Sequence, residues 1–156
     1  MPNMIQAARE QVTALTQAAY ARCAAQGVLP AGAEVEANVD IPKDAGHGDY
    51  ASSFAMAGAK AMKMAPRAIA QAIAEHLELE ESYFDHVEIA GPGFLNFTLG
   101  PKWYGEVLAA VETAGASYGA SNAGAGKRVM VEFVSANPTG PMHMGNARGG
   151  VLGDSL

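Results

Sequence analysis

The sequence predicts an α+β fold in two parts, and three observations carry that prediction. Apolar residues recur at steps of three and four over the first 25 residues and again beyond residue 53, as in helices with one buried stripe. Two-residue alternation appears at 34–41 and again at 86–99 around Gly91-Pro92-Gly93, the period of half-buried strands and of an antiparallel pair joined by a turn. After a stretch rich in Gly, Ala, Ser and Asn, the continuous apolar run Val129-Met130-Val131 leads through a Pro/Gly turn to a helix start. That is the layout of the first strand and helix of a doubly wound parallel sheet. The expected division is a domain with a small antiparallel sheet and helices at 1–115, a linker at 116–127, and the beginning of a parallel-sheet domain at 128–156.

Each element has its own local reason. Ile5, Ala8, Val12, Leu15 and Ala19 share one stripe of a helix that runs to about Ala25 and is stopped by Gly27. From Glu34 onward, Val35, Ala37, Val39 and Ile41 take one side of a strand and Glu34, Glu36, Asn38 and Asp40 the other, until Pro42 ends it. The loop Pro42 to Tyr50 leads to Ser52 or Ser53 as N-cap of an Ala/Met-rich helix through about Met62. Pro66 suits the first turn of the next helix, whose Ile69, Ile73 and Leu77 share a face. Strands follow at His86–Ala90 and Phe94–Leu99. In the second, Leu95, Phe97 and Leu99 form the core face, while Phe94, Asn96 and Thr98 lie opposite. Pro101 opens a helix with Trp103, Val107, Leu108 and Val111 apolar and Gly115 as its C-terminal cap.

Composition excludes several function classes. An apolar content of 49% over 156 residues is enough to bury a core, and 17% charged residues is not the balance of a disordered chain. With ten Lys and Arg and a net charge of −6, indiscriminate nucleic-acid binding is excluded, so any RNA contact is local and weak by itself. The single Cys23 leaves no intrachain disulfide, and no Cys/His spacing suits zinc. Met1 is followed by a polar, Ala-rich amphipathic stretch in place of a basic segment and apolar run, so the expectation is a cytoplasmic chain with no signal peptide and no membrane span.

Among the motifs, Gly46-His47-Gly48-Asp49-Tyr50-Ala51 formally resembles a dinucleotide fingerprint. The acidic residue that should follow about twenty residues on is missing, since Glu75 is late and lies in a helix, and a structural corner is the better reading. Gly124-Ala125-Gly126-Lys127 has Arg128 where a phosphate loop needs Ser or Thr, and its strand comes after it, so it reads as linker. Glu132 interrupts the apolar run Val129–Val134. It is either a strand-end residue reaching solvent or a carboxylate that faces a cationic ligand or orders the next loop. Pro138, Gly140 and Pro141 hold the turn that follows. His143 and Asn146 then stand at a helix N-terminus, where free backbone N–H groups can face an anion. Gly145 lets a base or ribose approach the backbone, His143 can donate to phosphate oxygens, and Arg148 lies one turn further on.

Three segments together, Glu132 to Arg148, Pro42 to Ala51 and Ala90 to Leu99, resemble the arginyl-tRNA synthetases, a class I family, and the resemblance covers essentially the whole chain. Ala136-Asn137-Pro138-Thr139-Gly140-Pro141-Met142-His143-Met144-Gly145-Asn146 is similar to that family's version of the His-Ile-Gly-His signature. The other two segments are similar to landmarks of the family's additional N-terminal domain. The resemblance implies that the chain is the first part of the enzyme, with residues 128–156 the start of a truncated Rossmann-like catalytic domain. It also implies a ligase that activates arginine with ATP, with Mg in the complete enzyme, and passes the arginyl group to tRNA. In that scheme Ser135 and Asn137 hold the amino and carboxylate end of arginine, Glu132 supports the loop or the substrate, and His143, Gly145 and Asn146 serve ATP and the adenylation step.

The second histidine of the class signature is Asn146 here, which can donate a hydrogen bond but cannot carry a proton charge. Lys63-Met64 lies upstream of this signature, so it cannot be the family's second, downstream Lys-Met-Ser-Lys motif. The N-terminal domain would touch the tRNA elbow at the D-loop. Phe94 and Asn96 suit that role from alternation alone, as an aromatic to stack on a base and an amide to read its edge, unless a helix covers their face. The implied complete enzyme is a monomer. The chain by itself is expected to be inactive in aminoacylation, its orphan strand 128–134 packing on the first domain, pairing with a second copy or fraying. A free-standing RNA-binding or interaction module built from the same domain is the alternative.

Overall fold

The structure is a computed structural model and describes residues 3–122, 124–132, 134, 136–137 and 139–155. Residues 1–118 form one compact unit and residues 119–156 another. The first unit is α+β. Helix α1 spans Met4–Ala25, strand β1 Val39–Asp40, a 3-10 turn Ala45–His47 and strand β2 Tyr50–Ser52. Helices α2 (Phe54–Met62) and α3 (Pro66–Glu75), strands β3 (Phe84–Ala90) and β4 (Phe94–Leu99) and helix α4 (Pro101–Ala114) follow. The strands form an antiparallel sheet in the order β1-β2-β4-β3.

Helix α1 begins where the Asn3 side chain accepts the Gln6 N–H at 3.1 Å, satisfying one of the donors that a helix start leaves unpaired. Its buried stripe is Ala8, Val12, Thr16, Ala19 and Cys23. Ile5 is exposed and Leu15 only half-buried, a correction to the predicted stripe: α1 overhangs the core at its N-terminus and turns its 12-16-19-23 edge inward. The polar member costs little, because the Thr16 hydroxyl donates to the Val12 carbonyl at 2.7 Å. Burial pushes the Cys23 thiol up, with Arg22 opposing the shift. Helices α1, α2 and α3 cover one face of the sheet, packing on the core residues Leu95, Phe97, Phe84 and Tyr50. Phe84 stands edge-on to both Tyr50 and Phe97, with ring centroids 5.9 and 5.3 Å apart.

The predicted hairpin of β3 and β4 forms, with β3 starting two residues early at Phe84 across a register irregularity. The Gly93 N–H closes the turn on the Ala90 carbonyl at 3.2 Å, and Arg67 donates to the Gly91 carbonyl at 3.0 Å. Two strand expectations need correction. The expected strand 34–41 pairs only at Val39–Asp40, although its burial alternates as predicted from Glu34 to Asp40, because its neighbour β2 is three residues long. Ile41 is exposed. Strand β2 itself was expected to be loop; it forms because it is held between β1 and β4, a partnership that no local pattern announces. The N-cap of α2 is Ser53, yet Ser53 Oγ accepts the Asn38 N–H at 3.0 Å, tying the helix start to the extended segment before β1.

The motif Gly46 to Ala51 is a structural corner. Gly48 has φ +75° and ψ −170°, and a Cβ there would lie 2.8 Å from the Phe97 carbonyl oxygen. Just beyond it, the Asp49 N–H donates to that carbonyl and the Asp49 carboxylate accepts the Leu99 N–H, both at 2.8 Å. The corner therefore sews β2 onto β4. Burial raises the Tyr50 phenol above its usual range, against Arg9 and with a smaller push from Asp49, so the ring enters the core neutral.

Helix α4 begins at Pro101 as expected but has no fully buried residue, and Leu108 is exposed. Trp103 anchors its first turn by donating to the Met4 carbonyl at 3.2 Å. No helix among the described residues is long and apolar enough to cross a membrane.

In the second unit, α5 spans Met144–Asp154. The strand expected at 128–134 does not form a ladder among the described residues, and Val129 and Met130 are 80% and 95% exposed. A strand buried on both faces needs parallel neighbours, and none of the described residues supplies one. The amides of Val129, Met130, Val131 and Glu132 are therefore expected to exchange on the fastest measurable time scale, while that of Phe97 stays protected. Slow exchange at 129–132 together with concentration-dependent sedimentation would instead mean that a second copy supplies the ladder.

Candidate RNA-binding face and nucleotide site

The face of the sheet opposite the helices is open. Phe94 pairs across the ladder with Ala90, and Asn96 lies between Glu88 on β3 and Ala51 on β2. Phe94 is 37% exposed, so no helix buries it as core. Asn96 is only 5% exposed, because it occupies a central strand between two ladder neighbours. It is nevertheless reachable, as it lines two hollows on this face. The larger, about 620 Å³, runs from Phe94, Pro92 and Ala51 to Lys43, Asp44 and His47 of the loop after β1. The smaller, about 340 Å³, is bordered by Gly46, Gly48, Asp49, His86, Glu88 and Thr98. His86 Nε2 and Glu88 Oε1 are 3.0 Å apart on its rim.

This face offers an aromatic ring, a side-chain amide, one lysine and two imidazoles around a concave surface that also carries the carboxylates of Asp40, Asp44, Asp49 and Glu88. That is the equipment for holding one unpaired base beside a phosphate, and it is too sparse to grip a long backbone. Lys43, His47, His86 and Glu88 were not legible as part of it. The loop 42–48 reaches the face only because β2 inserts between β1 and β4.

The other predicted residues gather around the start of α5. His143 is the N-cap: its Nδ1 accepts the Gly145 N–H at 3.1 Å, while Asn146 Oδ1 accepts the His143 N–H at 3.0 Å, a reciprocal capping box. A hollow of about 330 Å³ is lined by Ala136, Asn137, Thr139, Gly140, Pro141, Met142, His143 and Asn146. Asn137, His143 and Asn146 are thus brought together. Glu132, Met144 and Gly145 do not line this hollow, and Ser135 and Pro138 lie outside the described residues. No group of three His, Cys, Asp or Glu among the described residues could hold a metal, and the hollow's lining contains no carboxylate. A hard cation such as Mg does not fit a donor set of amides, a hydroxyl and an imidazole.

The architecture defines a class first: an α+β module that packs helices on one side of an antiparallel sheet and presents the other side as a grooved surface, joined to a separate segment with a capped helix start. Residues 6–99 match the family model described as the arginyl tRNA synthetase N terminal domain, and the chain belongs to that family. It is 43% identical over all 156 residues to an arginine–tRNA ligase of Acetivibrio thermocellus and 46% identical over the same length to one of Caldanaerobacter subterraneus. In both cases it spans 28% of the relative's length. The arginyl-tRNA synthetase of Plasmodium falciparum shares the fold at a TM-score of 0.50 and 16% identity, over 64% of this chain and 17% of that one.

Proposed function

We propose that this chain is the N-terminal part of an arginine–tRNA ligase acting in the cytoplasm as a monomer, with the open sheet face contacting tRNA and residues 132–146 contributing to the site that activates arginine. The observation that carries the first half is the exposed ring of Phe94 next to Asn96, a nearly buried residue that borders two hollows, on a helix-free face of a domain of this family. Phe94 would stack on an unpaired base of the tRNA elbow and Asn96 would hydrogen-bond its edge.

The second half concerns ATP and arginine. A neutral His143 that accepts at Nδ1 carries its proton on Nε2, and this N–H is the group suited to the α-phosphate as charge develops there. Asn137 and Ser135 would hold the amino-acid end of arginine, with Glu132 ordering the loop or the substrate. The positive end of the α5 helix dipole favours a phosphate near its first turn. Catalysis is then positioning plus charge stabilisation, and it gives arginyl-adenylate and pyrophosphate before transfer to the terminal ribose. Any Mg would arrive with the phosphates of ATP, since these residues do not fit one by themselves.

Because the chain spans little more than a quarter of its relatives, the 156 residues alone are expected to show no pyrophosphate exchange above background with arginine, ATP and tRNA present. Exchange above background would refute this. A free-standing RNA-binding module makes a different forecast: the isolated chain would bind tRNA as tightly as a complete ligase containing it.

A further inference from the structure

We propose that Arg67 and Lys63, at the corner between α2 and α3, take the phosphates of the RNA strand whose unpaired base stacks on Phe94. This assignment rests on the reading of the open face as the tRNA surface, and it fixes where the backbone of that RNA runs. From Tyr50 to Ala74 the sequence holds Lys60, Lys63 and Arg67 and no Asp or Glu. Residues 1–49 and 75–118 together hold fourteen acidic against four basic residues. The net negative charge of the domain is thus reversed along α2 and α3. All three cations are exposed, and none has an ion pair among the described residues.

Geometry ties this corner to the hollow beside Phe94. Arg67 Nη1 donates to the Gly91 carbonyl at 3.0 Å, and Gly91 lines the 620 Å³ hollow together with Phe94. Gly93, in the same turn, lies so close to α3 that a Cβ there would stand 2.9 Å from the Pro66 carbonyl carbon. The guanidinium is therefore held at the rim of the base site, and its single hydrogen bond leaves its other donors for an anion. The loop after β1 brings Lys43 to the same hollow, but with it Asp40 and Asp44. Two carboxylates beside one ammonium repel a phosphate, so the charge of the strand is favoured over the α2–α3 corner.

Helix stability accounts for only part of this arrangement. Lys60, in the last turn of α2, suits the negative end of that helix's dipole. Lys63 follows as the C-cap at φ +52°, in the left-handed region where glycine is the usual residue. Arg67 is the second residue of α3, at the positive end of the dipole, with no acidic residue in that turn to offset it. A phosphate there supplies the missing negative charge.

Filter binding of tRNA to a complete ligase carrying this segment, repeated over a tenfold range of salt, tests the assignment. Each phosphate contact to a single strand steepens the fall of log affinity with log salt by about 0.7, so Arg67→Gln and Lys63→Gln should each lower the slope by that amount. On a tenfold drop in salt each variant then gains about fivefold less affinity than the parent. Arg67→Lys keeps the charge and should keep the slope. A side chain that served only to pin Gly91 would move the affinity and leave the slope alone. Phe94→Ala should weaken binding at an unchanged slope, since stacking releases no counterions. Parental slopes in both Arg67→Gln and Lys63→Gln, beside weaker binding by Phe94→Ala, would overturn the phosphate track and leave the base site standing. Unaltered affinity in Phe94→Ala would remove the open-face reading and the track with it.

Discussion

Phe94→Ala, introduced into a complete ligase carrying this segment, is expected to weaken tRNA binding by about 10- to 100-fold at fixed salt, the range given by losing one base–aromatic stack of about 1–3 kcal/mol. Asn96→Ala should lower affinity in the same direction and relax the preference for the contacted base. The fold should hardly notice the first change: Phe94 is partly exposed, and its loss should cost about 1 kcal/mol or less. Phe97→Ala is the contrast. That ring is fully buried between the sheet and the helices and packs against Phe84, and its removal should cost about 3–5 kcal/mol. Filter binding and chemical denaturation on the same variants separate the cases. If Phe94→Ala destabilises like Phe97→Ala and leaves tRNA affinity unchanged, the open face is not the RNA site.

Gly48→Ala is the second large effect, and it acts on stability. The residue sits at φ +75°, ψ −170°, outside the conformations that side chains tolerate, and the added Cβ would meet the backbone carbonyl of Phe97 at 2.8 Å. Backbone in the middle of a paired strand cannot rotate away as a side chain can, so relief must come from breaking the two Asp49 bonds that join β2 to β4. The expected cost is about 3 kcal/mol or more, read as a lower denaturation midpoint with an unchanged slope. Gly27→Ala provides the comparison. It has φ +72° with nothing within 4 Å of the added carbon, and should cost only the left-handed penalty of about 1 kcal/mol. Equal losses at the two glycines would sink the steric account of the corner.

Both predictions concern residues that sequence reasoning singled out, for unequal reasons. Phe94 and Asn96 followed from strand alternation, which is a local property, and alternation correctly set them apart from Leu95 and Phe97. Gly48 stood out as part of a glycine-bearing motif, but its purpose became visible only with Phe97 placed beside it, half the domain away in sequence. The same distinction accounts for the loop residues Lys43 and His47. They lie in a segment that stood out as a landmark, but nothing local ties them to this face, which they reach through the insertion of β2. Around His143 the motif was legible as a helix start, while the reciprocal bonds with Gly145 and Asn146 were not, because a capping box is ordinarily read from Ser or Thr followed by Glu or Gln.

By itself, the sequence determined the helices and their order, the β3–β4 hairpin, the alternation that separates Phe94 from the core, and the family through its three landmark segments. Those are properties of short windows, in which period, Pro and Gly placement and residue type act within a few positions of one another. The tertiary structure decided that Tyr50–Ser52 is a strand, that Ile5 and Leu108 stay outside the core, that Asn96 is nearly buried yet borders two hollows, and that residues 128–132 form no ladder among the described residues. Each of these depends on which distant segment lies alongside, and the free energy of strand pairing and burial belongs to the pair of segments and not to either one alone.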